Sequence, residues 1–288
     1  MEIDSELARC LVAAQFPHWA HLPVRPVAHG GWDNRTFHLG DDMTVRLPSA
    51  AGYVPAVEKE QRWLPVLAPH LPLPVPTPLG HGEPALGYPF PWSVYGWLAG
   101  ETASPSRIGS LTTFAGDLAA FLVALQGIDA TGGPPAGEHS FFRGAPLTSY
   151  DEETRTTIAA LGDRVPGALC TEIWEAGLAA TYDGPPVWFH GDIAHGNLLV
   201  RDGRLAGVID FGTSGVGDPA CDAQIAWTLF AGESRAAYRA ALAVDDAMWA
   251  RARAWTLWKA LITLDSTVPA TAAGARASFD EVLTEYRS

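Results

Sequence analysis

Apolar and polar positions alternate along the first half of the amino-terminal hundred residues, then recur at helical spacing through most of the remainder. A short helix is expected at 5–16. The segment "VAHGGWDNRTFHLGDDMTVRLP" alternates and turns as strands do, with strands at 24–28, 35–39 and 43–47. Gly30 and Gly31 make the first turn and the acidic pair at 41–42 the second. A helix is expected from about Val57, where Trp63, Leu64 and Leu67 fall on one face. Prolines at 72, 74, 76 and 78 read as a stiff connector, and "YPFPWSVYGWL" as a further strand ending near Gly100. Next comes a stripe of Leu111, Phe114, Leu118, Leu122 and Leu125, which predicts a long helix capped by Ser104 or Ser106. A Gly/Pro-rich loop follows at 130–147. Helical patterns return at 151–182, 219–231, 233–242, 246–264 and 276–287.

Strands therefore dominate the first hundred residues and helices the rest. Such segregation predicts an α+β chain of two lobes, 1–97 and 98–288, the first a β-sheet with one helix and the second larger and mainly helical.

Composition narrows the class. The 288 residues are 48% hydrophobic and 18% charged, and eleven tryptophans argue for a packed core. Cys10, Cys170 and Cys221 are too scattered for a disulfide framework or a metal pattern, which fits a reducing cytoplasm. The first residues are acidic where a signal peptide is basic, and no apolar run is long enough to cross a bilayer, so no membrane partner is expected. A net charge of -13 argues against nucleic acid. It serves solubility, and it also suits a cationic small substrate.

Chemistry concentrates in "HGDIAHGN" and "VIDFG". Asp192 ends an apolar entry, Asn197 opens the strand "NLLV", and "GRLAGVID" returns as a second strand ending at Asp210. A hairpin of this kind brings Asn197 and Asp210 together with Asp192 in the loop above them. One amide oxygen and one carboxylate suit Mg²⁺, which takes few protein ligands and completes its shell with water and phosphate. A carboxylate not used by the ion is left to accept a proton from an attacking hydroxyl. These are the parts of phosphoryl transfer. Asp218, before Pro219, reads as a helix cap, and with Asp222 is assigned structural support. His195 lies in the loop, either facing an acceptor or solvated.

The spacing His190-Gly191-Asp192, Asn197 and Asp210-Phe211-Gly212 resembles the protein-kinase set. Glycine after the histidine, and "GDPACD" at 217–222, resemble aminoglycoside phosphotransferases and related small-molecule kinases. The resemblance extends over most of the chain, from "GGWDN" to "ARAWTLWKALITL", specific in the catalytic half and looser elsewhere. It implies a protein-kinase-like fold with a nucleotide-binding first lobe, ATP or GTP as donor, and Mg²⁺. His190 would brace the loop. Gly30, Gly31 and Asn34 would cover the phosphates, although the same residues suit a plain hairpin turn. Arg46 stands where protein kinases keep a lysine. Its planar fork serves phosphate and carboxylate together, with Glu60 as partner and Glu58 as runner-up. The Gly96 carbonyl and Leu98 N–H would meet the base edge. Trp255 and Trp258 would line or support the acceptor region, or simply pack the core.

The resemblance implies an O-phosphotransferase acting on an antibiotic hydroxyl, of an aminoglycoside or another sugar-bearing antibiotic such as a macrolide or nucleoside, and so conferring resistance. A metabolic kinase of choline, homoserine or a sugar is the alternative, and an inactive nucleotide-binding scaffold a third. A protein kinase is disfavoured, since no A-P-E segment follows Asp210. A monomer or homodimer is expected.

Overall fold

The computed structural model describes residues 2–28, 30, 31 and 33–288, so that His29 and Trp32 of the first turn lie outside the described residues. The chain falls into two compact units, Met1–Glu101 with Ala206–Gly212, and Thr102–Leu205 with Thr213–Ser288.

The first unit opens with helix α1 (Ser5–Gln15), capped by Asp4, whose side chain accepts the Leu7 N–H at 2.8 Å. Strands β1 (Val24–Pro26), β2 (Asn34–Leu39) and β3 (Met43–Pro48) follow, then helix α2 (Val54–Leu67), β4 (Pro78–Gly82) and β5 (Trp92–Gly96). They form one antiparallel sheet in the order β1-β2-β3-β5-β4. The register sets Val24 against Leu39, Thr36 against Arg46 and Val45 against Val94. Alternation then puts Phe37, Leu39, Val45, Leu47, Trp92 and Val94 into one core, covered by Ala8, Leu11 and Val12 of α1.

Two expectations change here. Helix α2 begins at Val54, three residues early, because Pro55 in the first turn loses no hydrogen bond that the helix would have made. The proline connector contains a strand, β4. Pro78 is tolerated because β4 is an edge strand, where a missing N–H breaks no ladder on the outer side.

A two-residue strand, β6 (Glu101–Thr102), stands at the division. The second unit begins with helix α3 (Leu111–Gln126). Its cap is Ser110, which accepts the Thr113 N–H at 3.2 Å, and not Ser104 or Ser106. The Ser104 carbonyl instead closes a turn with the N–H groups of Arg107 and Ile108. The pattern at 151–182 resolves into α4 (Asp151–Leu161) and α5 (Gly167–Ala179), broken by Gly162, whose φ of 52° leaves the helix, and by Pro166. Strand β7 (Val187–Phe189) leads into the motif loop; β8 (Leu198–Arg201), β9 (Arg204–Val208) and β10 (Gly215–Gly217) follow, and β10 returns to pair with β7. A 3₁₀ turn, Pro219–Gln224, replaces the first half of the helix expected at 219–231 and runs into the short α6 (Ile225–Thr228). Helices α7 (Gly232–Leu242), α8 (Asp246–Thr263) and α9 (Pro269–Tyr286) complete the chain. Helix α3 packs on α7, and α5 on α8.

Candidate active site

In the first unit, chemistry gathers around Arg46. Strand β3 carries it opposite Thr36 of β2 and Ser93 of β5, so its stem rises from the middle of the sheet. Its Nη1 meets both oxygens of Glu60 at 3.2 and 3.3 Å, and Nη2 donates to Asp210 Oδ1 at 3.1 Å. Glu60 is buried at 3% exposure and takes a further hydrogen bond from the Tyr95 hydroxyl at 2.6 Å. Burial alone would lower the Arg46 pKa, but the Glu60 and Asp210 carboxylates hold it above its ordinary value, so the guanidinium stays charged. Burial, and then the Glu60 charge, push the Tyr95 phenol well above its ordinary value, so it donates rather than ionises. Glu58, by contrast, faces outward and lies 3.0 Å from His81.

Asp210 has a φ of 68°, which a non-glycine residue adopts at a cost. Gly212, two residues on, would bring a Cβ within 3.2 Å of Ala56 of α2. The segment is therefore pressed against the helix that carries Glu60. Gly30 and Gly31 have open space around them and are exposed, and Asn34 begins β2 opposite Pro48. Gly96 ends β5, with its N–H donated to the Thr77 carbonyl, and Leu98 is half-buried just beyond it.

In the second unit, the motif loop hangs from one carboxylate. Asp222, 1% exposed, accepts the backbone N–H groups of His190 and Gly191, both at 2.7 Å. Burial raises its pKa, while the two donors favour the ionised form. The His190 imidazole is fully buried, and its Nδ1 accepts the Asp192 N–H at 3.2 Å. Gly191 has a φ of 86°, and a Cβ there would stand 2.8 Å from the Thr213 carbonyl and 3.1 Å from Cδ of Arg143, so only glycine fits. Asn197 turns its amide nitrogen to Asp192, donating to Oδ2 at 2.8 Å and to the backbone oxygen at 2.9 Å. Its own carbonyl oxygen is thereby directed away from Asp192.

Asp218 caps the 3₁₀ turn through Ala220 N–H at 3.1 Å and pairs with Arg251 through two hydrogen bonds, at 2.7 and 3.2 Å. The Arg251 partner has no motif and was not legible in the sequence. His195 is exposed, and its backbone carbonyl receives the Ala103 N–H. Trp255 and Trp258 are buried in a cluster with Tyr150, Trp174 and Phe189. Two cations near Asp192 also escaped the sequence reading. Arg143, from the Gly/Pro-rich loop, places Nη2 3.9 Å from Asp192 Oδ1. Lys259 of α8 follows Trp258 and has its pKa lowered, first by burial and then by the Arg143 charge.

The donor chemistry fits magnesium. Asn197 of the second unit offers an amide oxygen and Asp210 of the first a carboxylate, and each is a hard oxygen donor of the kind that magnesium takes. Among the described residues no group of three or more His, Cys, Asp or Glu side chains makes a closed metal cage.

Among curated proteins, none matches the chain significantly in sequence. Among solved structures, that of an aminoglycoside phosphotransferase, APH(2")-IIIa, with GDP and kanamycin superposes with a TM-score of 0.73 at 18% identity, covering 98% of each chain. The macrolide 2'-phosphotransferase MphH from Brachybacterium faecium has a TM-score of 0.65 at 23% identity, covering 96% of this chain and 98% of that one. A streptomycin–ATP complex of APH(2")-IIa has a TM-score of 0.60 at 18% identity, covering 99% and 97%. At such identities the likeness establishes the fold, an α+β protein-kinase-like one with an antiparallel sheet followed by a mainly helical part. Residues 24–255, most of the chain and every motif described above from Arg46 to Asp222, match the phosphotransferase enzyme family, and the chain belongs to that family.

Proposed function

We propose that the protein transfers the terminal phosphoryl group of ATP or GTP to a hydroxyl of a small molecule, with a sugar-bearing antibiotic as the leading acceptor. The observation that carries this is the fixed Asp192: its backbone N–H is held by His190, its Oδ2 by Asn197, and its loop by Asp222. A carboxylate oriented by three neighbours suits a proton acceptor that must meet one hydroxyl. Solved relatives hold GDP or ATP together with kanamycin or streptomycin, which supports a nucleotide donor and a small-molecule acceptor.

Arg46, kept charged between Glu60 and Asp210, holds the donor's phosphates. Gly30, Gly31 and Asn34 approach them from the first hairpin, while the Gly96 carbonyl and Leu98 N–H meet the base. The nucleotide-binding lobe is 1–97 and the acceptor lobe 98–288. Magnesium, held by Asn197 and Asp210 with the phosphates, would supply charge neutralisation. The acceptor oxygen forms the new bond to phosphorus as the bridging bond to the nucleoside diphosphate breaks. Asp192 takes the hydroxyl proton late in that step. Among the described residues no helix is long and apolar enough to cross a membrane. A cytoplasmic monomer or homodimer is part of the proposal.

The test is Asp192→Asn, which keeps the shape and removes the basicity. It should lower kcat by about 10²–10⁴ and leave the donor Kd nearly unchanged. Resistance scored across aminoglycosides, macrolides and nucleoside antibiotics in a sensitive bacterium identifies the acceptor. Full kcat in Asp192→Asn refutes the assignment of the base, and turnover of choline, homoserine or a sugar with no protection moves the protein to metabolism.

A further inference from the structure

The two oxygens of Asp192 are not equivalent. Oδ2 is taken by the Asn197 amide. Oδ1 faces Arg143, whose Nη2 is 3.9 Å away, too far for a good hydrogen bond. The oxygen left for a substrate hydroxyl is therefore the one beside Arg143. Few polar contacts hold that side chain: it is 13% exposed, its guanidinium lies over the Phe141 ring at 5.5 Å, its Nη1 makes one long bond of 3.4 Å to the Ser140 carbonyl, and its buried Nε has no hydrogen-bond partner among the described residues. A buried N–H left unpaired is uncommon and calls for a reason. Gly191 leaves the room that the Arg143 stem fills.

Lys259 adds a second positive charge. Its ammonium makes no hydrogen bond or ion pair among the described residues and lies near the Trp258 ring, 5.9 Å from its centre. The charges acting on it are Arg143, Asp192 and Glu153, and Glu153 is already engaged by the Trp258 indole at 2.8 Å. Although the whole chain is acidic, charges beyond about 8–10 Å are screened at ordinary salt. The nearest charges therefore set the field at the reacting hydroxyl: beyond the Asp192 carboxylate itself, the Arg143 guanidinium stands beside Oδ1, with Lys259 within electrostatic reach of both.

We propose that Arg143 and Lys259 are specificity-determining residues that select an acceptor bearing a carboxylate or phosphate near its reactive hydroxyl and disfavour polycationic aminoglycosides. The proposal rests on the phosphotransferase reading above and refines its acceptor class. A bidentate guanidinium holds an oxyanion in one orientation, and the ammonium adds charge without fixed direction. Together they would position the hydroxyl against Oδ1.

The test measures nucleotide-coupled turnover of the full chain, in magnesium, against three acceptor sets: aminoglycosides, macrolides and choline; neutral sugars, nucleosides and homoserine; and sugar acids and sugar phosphates. Turnover is expected in the anionic set. Arg143→Gln should raise the acceptor KM at least tenfold while the donor KM moves less than twofold, and Lys259→Gln should act in the same direction more weakly. Turnover confined to neutral or cationic acceptors overturns the proposal and leaves the phosphotransferase reading standing. So does an Arg143→Gln variant that melts lower but keeps its acceptor KM, since that marks a purely structural role. Absence of turnover in all three sets overturns this proposal and the reading beneath it.

Discussion

At Arg46 one guanidinium answers two carboxylates, and the geometry says what each substitution removes. Arg46→Ala leaves Glu60 buried with the Tyr95 hydroxyl as its one remaining side-chain partner among the described residues. Breaking a buried pair from one side costs about 3–5 kcal/mol, so thermal melting should fall sharply and the donor KM should rise. Arg46→Lys keeps the charge but has no fork to span Glu60 and Asp210 at once, so it should retain part of the stability and lose donor affinity. Calorimetry and donor titration check both; an Arg46→Ala protein that melts like the parent would show that Glu60 finds compensation elsewhere. Lys259 makes the opposite prediction. Its folded pKa lies below the ordinary lysine value of 10.5 because burial opposes the charge. The unfolded chain binds the proton more readily, so the penalty is full below the lowered folded value and fades as pH rises toward 10.5. Lys259→Met should therefore raise Tm at neutral pH. The gain should shrink in alkaline buffer. A stabilising loss of a polar residue is the usual mark of a side chain kept for function.

At the scale of elements, caps and breaks decide what a sequence reveals. Ser110→Ala should destabilise by about 1 kcal/mol, the ordinary worth of a helix cap. Ser104→Ala and Ser106→Ala should leave α3 unchanged, and chemical denaturation of the three variants separates them. The stripe from Leu111 to Leu125 was legible because burial of one face fixes the period. The cap was not, since three serines precede that stripe and only tertiary packing chooses among them. Strand β4 was hidden because proline discourages strands in general and is harmless only at an edge, a fact of sheet order rather than of local pattern. The Arg46–Glu60 pair was readable from family spacing, and the structure brings those two side chains together. Arg143 and Lys259 were invisible for the converse reason. Arg143 reaches Asp192 from a turn-rich loop, Lys259 acts on it electrostatically from a helix far along the chain, and no short motif records such a meeting. Asp222 was assigned a supporting role, and its two N–H acceptances show the form that support takes. Asp222→Ala should leave both donors buried and unpaired, at about 1–3 kcal/mol each. It should reduce kcat through misplacement of Asp192, which a thermal melt alongside the kinetics would reveal.

For the whole molecule, segregation of strands and helices along the chain predicted the α+β class, which the fold bears out. Periodicity alone did not show that neither compact unit is a single stretch of chain. The first takes Ala206–Gly212 from far downstream. That segment supplies Asp210 to Arg46, the Val208 N–H to the Pro74 carbonyl, and Gly212 against Ala56. The consequence appears on the ribosome. Domains commonly complete themselves in order of synthesis, at about 5–20 residues per second. Here the sheet emerges first, yet the compact unit around it waits for about 100 more residues, a delay of about 5–20 s at those rates, before its last segment exists. Nascent chains stalled soon after Glu101 has emerged should remain open to protease throughout the sheet, and chains stalled once Gly212 is outside should resist. During that interval Arg46 has a single carboxylate for company, and the Pro74 carbonyl and the Ala56 face of α2 wait uncovered for Val208 and Gly212.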